Sequence, residues 1–296
     1  MTYQPYRSNH LSPAEIDAFE PIMKIGLVAT ITPEGLPHIT MLSSLKASDE
    51  STLIWGQFTE GTSSDNVVNN PKIGWLVMTL NKDLWRGTGN FTHTATSGVD
   101  FDAYNNTPMF RYNAYFGIHT VYYVDLIAHT GKQPLAMGAI IGAAIKTMLA
   151  KPFLRKKGAP VMNPWTMALF NKLDNLKFLA YIAEDGYPII IPVIQAQAAG
   201  SQHLIFSLGA FTDELKAIPA GVPMALFGLC LDMTDVLTRG VYQGLRWVGL
   251  QRCGVMKVDW VYNPMPPVPQ QIYPPLPLSP VRDFSARRVW QGRDGE

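Results

Sequence analysis

Apolar residues along this chain fall into short blocks separated by turn-forming residues. "KIGLVATI", "LIWGQF" and "IGWLVMTL" read as buried strands, and the clusters between them read as turns or helix starts. A longer apolar run, "PLAMGAIIGAAI" (residues 134–145), reads as a helix. It stops at Lys146, short of the ~18–20 residues that a membrane crossing requires. The basic stretch "KPFLRKK" follows it. Two readings stay open: a helix lying on a membrane surface, or a buried or interface helix with a solvated basic loop. Gly138 and Gly142 share one helix face, which would let another backbone approach closely.

The pattern occurs twice. Residues 11–42 ("LSPAEIDAFEPIMKIGLVATITPEGLPHITML") lie over residues 162–193 ("MNPWTMALFNKLDNLKFLAYIAEDGYPIIIPV"). Each copy opens on a capping residue and a proline, Ser12-Pro13 or Asn163-Pro164, which predicts a helix start with the side-chain oxygen on an orphan amide. Each then enters an apolar strand and a tight turn, "PEGLP" or "EDGYP", where Gly35 or Gly186 supplies the permissive backbone. Downstream, "GWLVMTLNKDLWRGTG" echoes "MALFGLCLDMTDVLTRGVYQG", which pairs Arg86-Gly87 with Arg239-Gly240. Each half reads as a helix and five or six short strands, the pattern of a small closed or split barrel. The expected fold is mainly β with α (α+β): two tandem split β-barrels, a connecting helix and an extended tail. The expected domains are residues 1–130, a connector at 131–162, a degenerate second barrel at 163–262 and a proline-rich tail at 263–296. That tail is too rich in proline for a helix or central strand and should run as a surface strap.

Composition narrows the function. With 24 basic and 23 acidic residues among 296, no electrostatic footprint for nucleic acid is visible. Cys230 and Cys253 have neither metal nor redox spacing, and the N-terminus has no apolar signal core, so a reducing, cytoplasmic setting is expected. Six histidines show no metal pattern, and no Gly-x-Ser-x-Gly elbow or dinucleotide fingerprint is complete.

"TEGTSSDNVVNNP" places hydroxyls and amides where a strand ends and a helix begins, a natural cradle for a phosphate. The second copy has lost this cluster, so folding alone does not demand it. Asp65 opposes an anion there, which leaves three readings: hydroxyls and amides suffice, Arg86 or Lys46 reaches in, or binding is weak or lost. In "NNTPMFRYNAYFGIHTVYYVDL", Arg111 is a candidate for holding an anionic substrate. Tyr112 and Tyr115 are candidates for stacking or proton donation, and His119 for acid–base work.

"LVATITPEGLPHITML", "LIWGQFTEGTSSDNVVNNPKIGWLVM" and "LWRGTGNFT" resemble the FMN-binding split barrels related to pyridoxamine 5'-phosphate oxidase. The resemblance spans residues 21–90, and residues 176–244 look like a degenerate copy. It implies an FMN in a groove between paired barrels, with His38, Thr40, Met41 and Leu42 beside the ring. Gln57, Phe58, Thr59, Thr62, Ser63 and Ser64 would hold the phosphate, with Asn66 fixing the turn. Haem or a deazaflavin are the alternative cofactors. The implied function is an FMN-dependent oxidoreductase acting on a small organic or flavin-like substrate, with a nicotinamide as a candidate donor; a non-catalytic flavin or haem carrier is the alternative. The barrels would pair within one chain as a pseudo-dimer, or between chains as a homodimer.

Overall fold

The computed structural model describes residues 8–57, 61–107, 117–154, 159–230, 232, 234–264 and 270–275. The first repeat runs α1 (Pro13–Phe19), β1 (Lys24–Ile31), β2 (Pro37–Met41), β3 (Lys46–Ala47), β4 (Thr52–Gln57), α2 (Thr62–Asn69), β5 (Lys72–Thr79), β6 (Asp83–Ala95), α3 (Val99–Asn106), β7 (Thr120–His129) and β8 (Gln133–Pro134). Next come α4 (Met137–Leu154), α5 (Pro164–Asn171), β9 (Leu176–Ile182), β10 (Pro188–Pro192), β11 (Gln197–Ala198) and β12 (His203–Ser207). The chain continues through α6 (Thr212–Ala217), β13 (Pro223–Leu229), β14 (Asp235–Val248), β15 (Gln251–Asn263) and β16 (Gln270–Tyr273).

These elements build two antiparallel sheets in an α+β arrangement. The first has strand order β2-β1-β5-β6-β7-β4-β3 and the second β10-β9-β13-β14-β15-β12-β11, so the same path is traced twice. In neither sheet do the two end strands share a ladder among the described residues, and each sheet stays open rather than closing into a barrel. Strand β8 adds to β6 and β16 to β15, the latter from the proline-rich tail that was expected only as a strap. The chain divides into two compact units, Gln4–Leu135 with Ile182–Ile190, and Ala136–Tyr181 with Ile191–Glu296.

Register makes the duplication quantitative. Leu27 pairs with Leu76 and Leu76 with Arg86; adding 151 to each number gives Phe178, Phe227 and Leu237, which pair in the same way. The same offset relates the turns. Thr32 N–H donates to Leu36 O and Gly35 N–H to Thr32 O, as Ala183 N–H does to Tyr187 O and Gly186 N–H to Ala183 O. Gly35 and Gly186 have φ of 75° and 83°, a region costly for residues with a Cβ. Even a side-chain bond recurs: Ser44 Oγ donates to Gly56 O in one copy, Gln195 Nε2 to Ser207 O in the other. The register also corrects the expected pairing of Arg86 with Arg239. Arg86 matches Leu237, and Arg239 matches Thr88.

The helix starts differ in detail. Asn163 caps α5 by accepting from Thr166 N–H, as expected. At α1 the Ser12 hydroxyl donates instead to Glu15, whose carboxylate also accepts the Ser12 amide. Phe19 of α1 and Val67 of α2 close the first core against Val28, Trp75, Val77 and Val124. In the second unit Ala150 and Leu154 of α4 pack on Ile205, Val248 and Val255. A buried polar clasp fixes α4 there: Thr147 Oγ1 accepts Ser207 N–H, and Ser207 Oγ donates to Ala143 O. Among the described residues, Gly138 and Gly142 have no neighbouring atom within 4 Å of where a Cβ would stand, so no other described backbone makes the close approach expected there.

Asp235, at the start of β14, is buried, and Oδ1 accepts no hydrogen bond among the described residues. Burial pushes its carboxyl up to about 7, whereas an unfolded carboxyl titrates near ~4. The folded state therefore holds a proton that the unfolded state has released. The corresponding stability is full below about pH 4 and lost as pH rises through about 7. Asp235→Asn should raise the unfolding free energy at pH 8 by on the order of 1 kcal/mol or more, read as a higher urea midpoint, and change it little at pH 4. An equal change at both pH values would refute the burial argument.

Candidate functional site

Strand alternation sorts the residues of β1 and β2 onto two faces. Thr30 pairs with His38 and Val28 with Thr40 on one face; Ala29 pairs with Ile39 and Leu27 with Met41 on the other. Helix α2 packs on the first face, since its Val67 joins Val28 in the core. Two hydrogen bonds tie it down. Thr40 Oγ1 and Ser63 Oγ lie 2.6 Å apart, and Asn66 Nδ2 donates to Thr30 Oγ1 at 2.9 Å. Ser63 and Asn66 are buried, as is His38, while Thr40, Thr62 and Ser64 are half-buried. The residues nominated for the ring strand and for the phosphate turn are thus brought into direct contact.

The N-cap of α2 is Gly61, and no side chain caps the helix. Ser64 Oγ donates to Gly61 O at 2.6 Å and Ser64 N–H to the same carbonyl at 3.3 Å, a tightened first turn. Its remaining leading amides and the Thr62 hydroxyl lie at the positive end of the helix dipole. Asp65 is exposed in that first turn. With the Ser63 and Ser64 hydroxyls engaged, the Thr62 hydroxyl and these amides are the donors that could meet an anion.

Neither basic residue proposed to reach in is available to do so. Arg86 lies in one register row with Met41, Leu27 and Leu76, on the face opposite Thr40. It is fully buried; Nη1 donates to Ile190 O at 3.0 Å and Nη2 to Gln133 Oε1 at 3.1 Å. Lys46 Nζ is paired with Glu20 at 3.1 Å.

The other nominated residues are placed as follows. Met41 and Leu42 are half-buried at the end of β2. Gln57 accepts the Tyr122 hydroxyl at 2.7 Å. His119 is exposed, with Nδ1 2.8 Å from Thr120 Oγ1, and its amide donates to Gln57 O. Phe58, Thr59, Arg111, Tyr112 and Tyr115 lie outside the described residues. Thr30, which anchors Asn66, shares the face of His38 and Thr40 through the β1–β2 register, which alternation within one strand does not reveal.

The second copy shows what the cluster looks like when it is lost. The 151-residue offset puts Tyr181 at Thr30, Ile189 at His38, Ile191 at Thr40, Glu214 at Ser63 and Ala217 at Asn66. Helix α6 is shorter, and its N-cap Phe211 has φ of 59°. A buried carboxylate where the first copy has Ser63 is hostile to an anion.

A separate groove of about 680 Å³ runs beside α1, lined by Glu15, Lys24, Thr79, Asp83, Trp85 and Lys132 among others. Its polar groups are engaged with one another: Trp85 Nε1 donates to Glu15 and Lys132 bridges Asp83 at 2.7 Å. Burial lowers the Lys24 ammonium to about 8, with Nζ donating to Pro21 O. None of the nominated cofactor residues lines this groove.

Over about two-fifths of its length the chain is similar to solved split-barrel proteins. HupZ of Group A Streptococcus is 20% identical, covers 40% of this chain and 91% of its own, and gives a TM-score of 0.33. An FMN-binding protein of Syntrophomonas wolfei is 16% identical over 41% of this chain and 84% of its own, at 0.35. A Lactobacillus delbrueckii protein provisionally described as a pyridoxamine 5'-phosphate oxidase is 15% identical over 41% and 94%, at 0.32. No family model and no curated protein matches the sequence.

Arg86 reads here as a structural group. Arg86→Met should lower the stability of the ligand-free protein by about 2 kcal/mol or more, because it strips the Ile190 carbonyl and Gln133 of their partner. Arg86→Lys should not restore it, since one ammonium cannot reproduce the fork. A urea midpoint unchanged in Arg86→Met would show the guanidinium to be free for another task.

Proposed function

We propose that the first repeat binds FMN, with the phosphate at the start of α2 and the flavin ring along β2. The observation that carries this reading is the 2.6 Å contact between Thr40 and Ser63, which joins the strand nominated for the ring to the turn nominated for the phosphate. The Thr62 hydroxyl and the leading amides of α2 would take the phosphate oxygens, while Asn66, anchored on Thr30, keeps the helix start in place. His38, on the face of Thr40, would flank the ring, while Leu42 would border it at the end of β2 and Met41 lies on the opposite face. The absence of this polar set from the second repeat supports one flavin per chain.

A bound flavin supplies hydride or single-electron transfer, and the protein's part is then position and electrostatics. On this reading the chain is an FMN-dependent oxidoreductase for a small organic substrate, with a reduced nicotinamide as donor. Asp65 makes phosphate binding weaker than a cation-bearing turn would, and sensitive to salt.

Titration of the purified protein with FMN, followed by fluorescence quenching, should saturate near one FMN per chain. Riboflavin, lacking the phosphate, should bind more weakly. Ser63→Glu, which installs the second repeat's residue, should weaken FMN binding about tenfold or more, equivalent to about 1.4 kcal/mol, while leaving riboflavin binding less affected. Asp65→Asn should strengthen FMN binding several-fold at low salt. No FMN binding, or equal affinity for FMN and riboflavin in the native protein, would defeat the phosphate assignment. Bound FMN that neither NADH nor NADPH reduces would leave a flavin carrier and remove the nicotinamide-dependent activity.

A further inference from the structure

Helix α4 is 18 residues long, about 27 Å, which only reaches the lower limit for crossing a bilayer core of about 30 Å. One side of it is committed to the second core through Ala143, Thr147, Ala150 and Leu154. The opposite side is apolar and faces solvent: Ile141, Ile145, Met148, Leu149 and Phe153 are all roughly half to two-thirds exposed, with Phe153 at 71%. The patch does not end with the helix. A Cβ built on Gly249 would stand 2.6 Å from the Phe153 ring, so the tip of the β14–β15 hairpin lies against it. That tip carries Trp247 at 73% and Leu250 at 88% exposure. Two elements distant in sequence therefore present one continuous apolar surface, larger than scattered surface residues account for.

Charge decides what this surface fits. The chain as a whole is nearly neutral, yet residues 126–173, which contain α4, and residues 236–258, which contain the hairpin tip, hold no Asp or Glu. Exposed Lys146, Arg246 and Arg252 accompany the apolar groups. A second copy of the same face would bring these cations against each other. An anionic lipid surface offers the opposite charge together with an apolar layer, and an exposed tryptophan suits the boundary between the two. We infer that the C-terminal unit docks on anionic membranes through the outward side of α4 and the β14–β15 tip. The helix lies along the surface, since the Thr147–Ser207 clasp holds its other side to the sheet. The inference is independent of flavin binding.

The test is flotation of the full chain with phosphatidylcholine vesicles, with and without about 30 mol% phosphatidylserine. Binding is expected only to the anionic vesicles and should fall as salt is raised. Leu149→Glu on the helix and the double change Trp247→Ala with Leu250→Ser on the hairpin should each weaken it at least about tenfold, with unchanged circular dichroism. All three substitutions alter exposed groups, so the fold should survive. Failure to float, equal binding to neutral vesicles, or binding that neither variant weakens would overturn the inference. So would a wild-type dimer in sedimentation velocity that Leu149→Glu converts to monomer, because a second copy would then own the face.

Discussion

Successive residues of a strand must point to opposite faces, and in the first repeat this alternation decides which groups can ever meet. Thr30, His38 and Thr40 are bound to one face and Ile39, Met41 and Arg86 to the other. Once α2 has buried Val67 against the first face, Ser63 meets Thr40 and Asn66 meets Thr30. No rotamer of Arg86 carries its guanidinium through the sheet to join them. The hydroxyl-rich helix start consequently receives no charge from Arg86, which lies across the sheet.

The parts of the fold legible in the sequence were those with local causes. Proline after a capping residue marked α1 and α5, and glycine between apolar blocks marked the two equivalent turns; the 151-residue repeat followed from both. The misjudged pairing of Arg86 with Arg239 has a physical origin. A slip of two residues keeps every side chain on its proper face, so the apolar pattern cannot detect it, and the shared Arg-Gly dipeptide drew the alignment to the wrong register. Only hydrogen-bonded pairing fixes the true offset. The role of Ser12 was missed for a similar reason. Composition indicates that a hydroxyl is present at a helix start, not whether it accepts from an amide or donates to the glutamate beyond it.

For the candidate site, the sequence offered residues one by one and said nothing of their grouping. Thr40 and Ser63 are 23 positions apart and were nominated for different parts of a ligand; their contact is a property of how α2 seats on β1 and β2. The outer side of α4 was equally opaque. Its residues are apolar nearly all round, so no periodicity separates the stripe that packs from the stripe that does not. That the tip bearing Trp247 reaches Phe153 depends on the long β14–β15 hairpin, which no local signal measures.

The two repeats have diverged in what they preserve. Backbone turns and the Ser44 or Gln195 bond to the neighbouring strand are retained, whereas the polar cluster around α2 has become Tyr181, Ile189, Ile191, Glu214 and Ala217. The Thr147–Ser207 clasp gives the second unit a different constraint. Its hydrogen bonds are buried, so rolling α4 to hide Leu149 or Phe153 would leave the Ser207 amide and hydroxyl unsatisfied in an apolar interior. Helix α4 thus has no low-energy rotation in which all of its hydrophobic residues are sheltered. Its solvent-facing oiliness belongs to the native packing itself, and strengthening that core would anchor the exposed stripe more firmly instead of removing it.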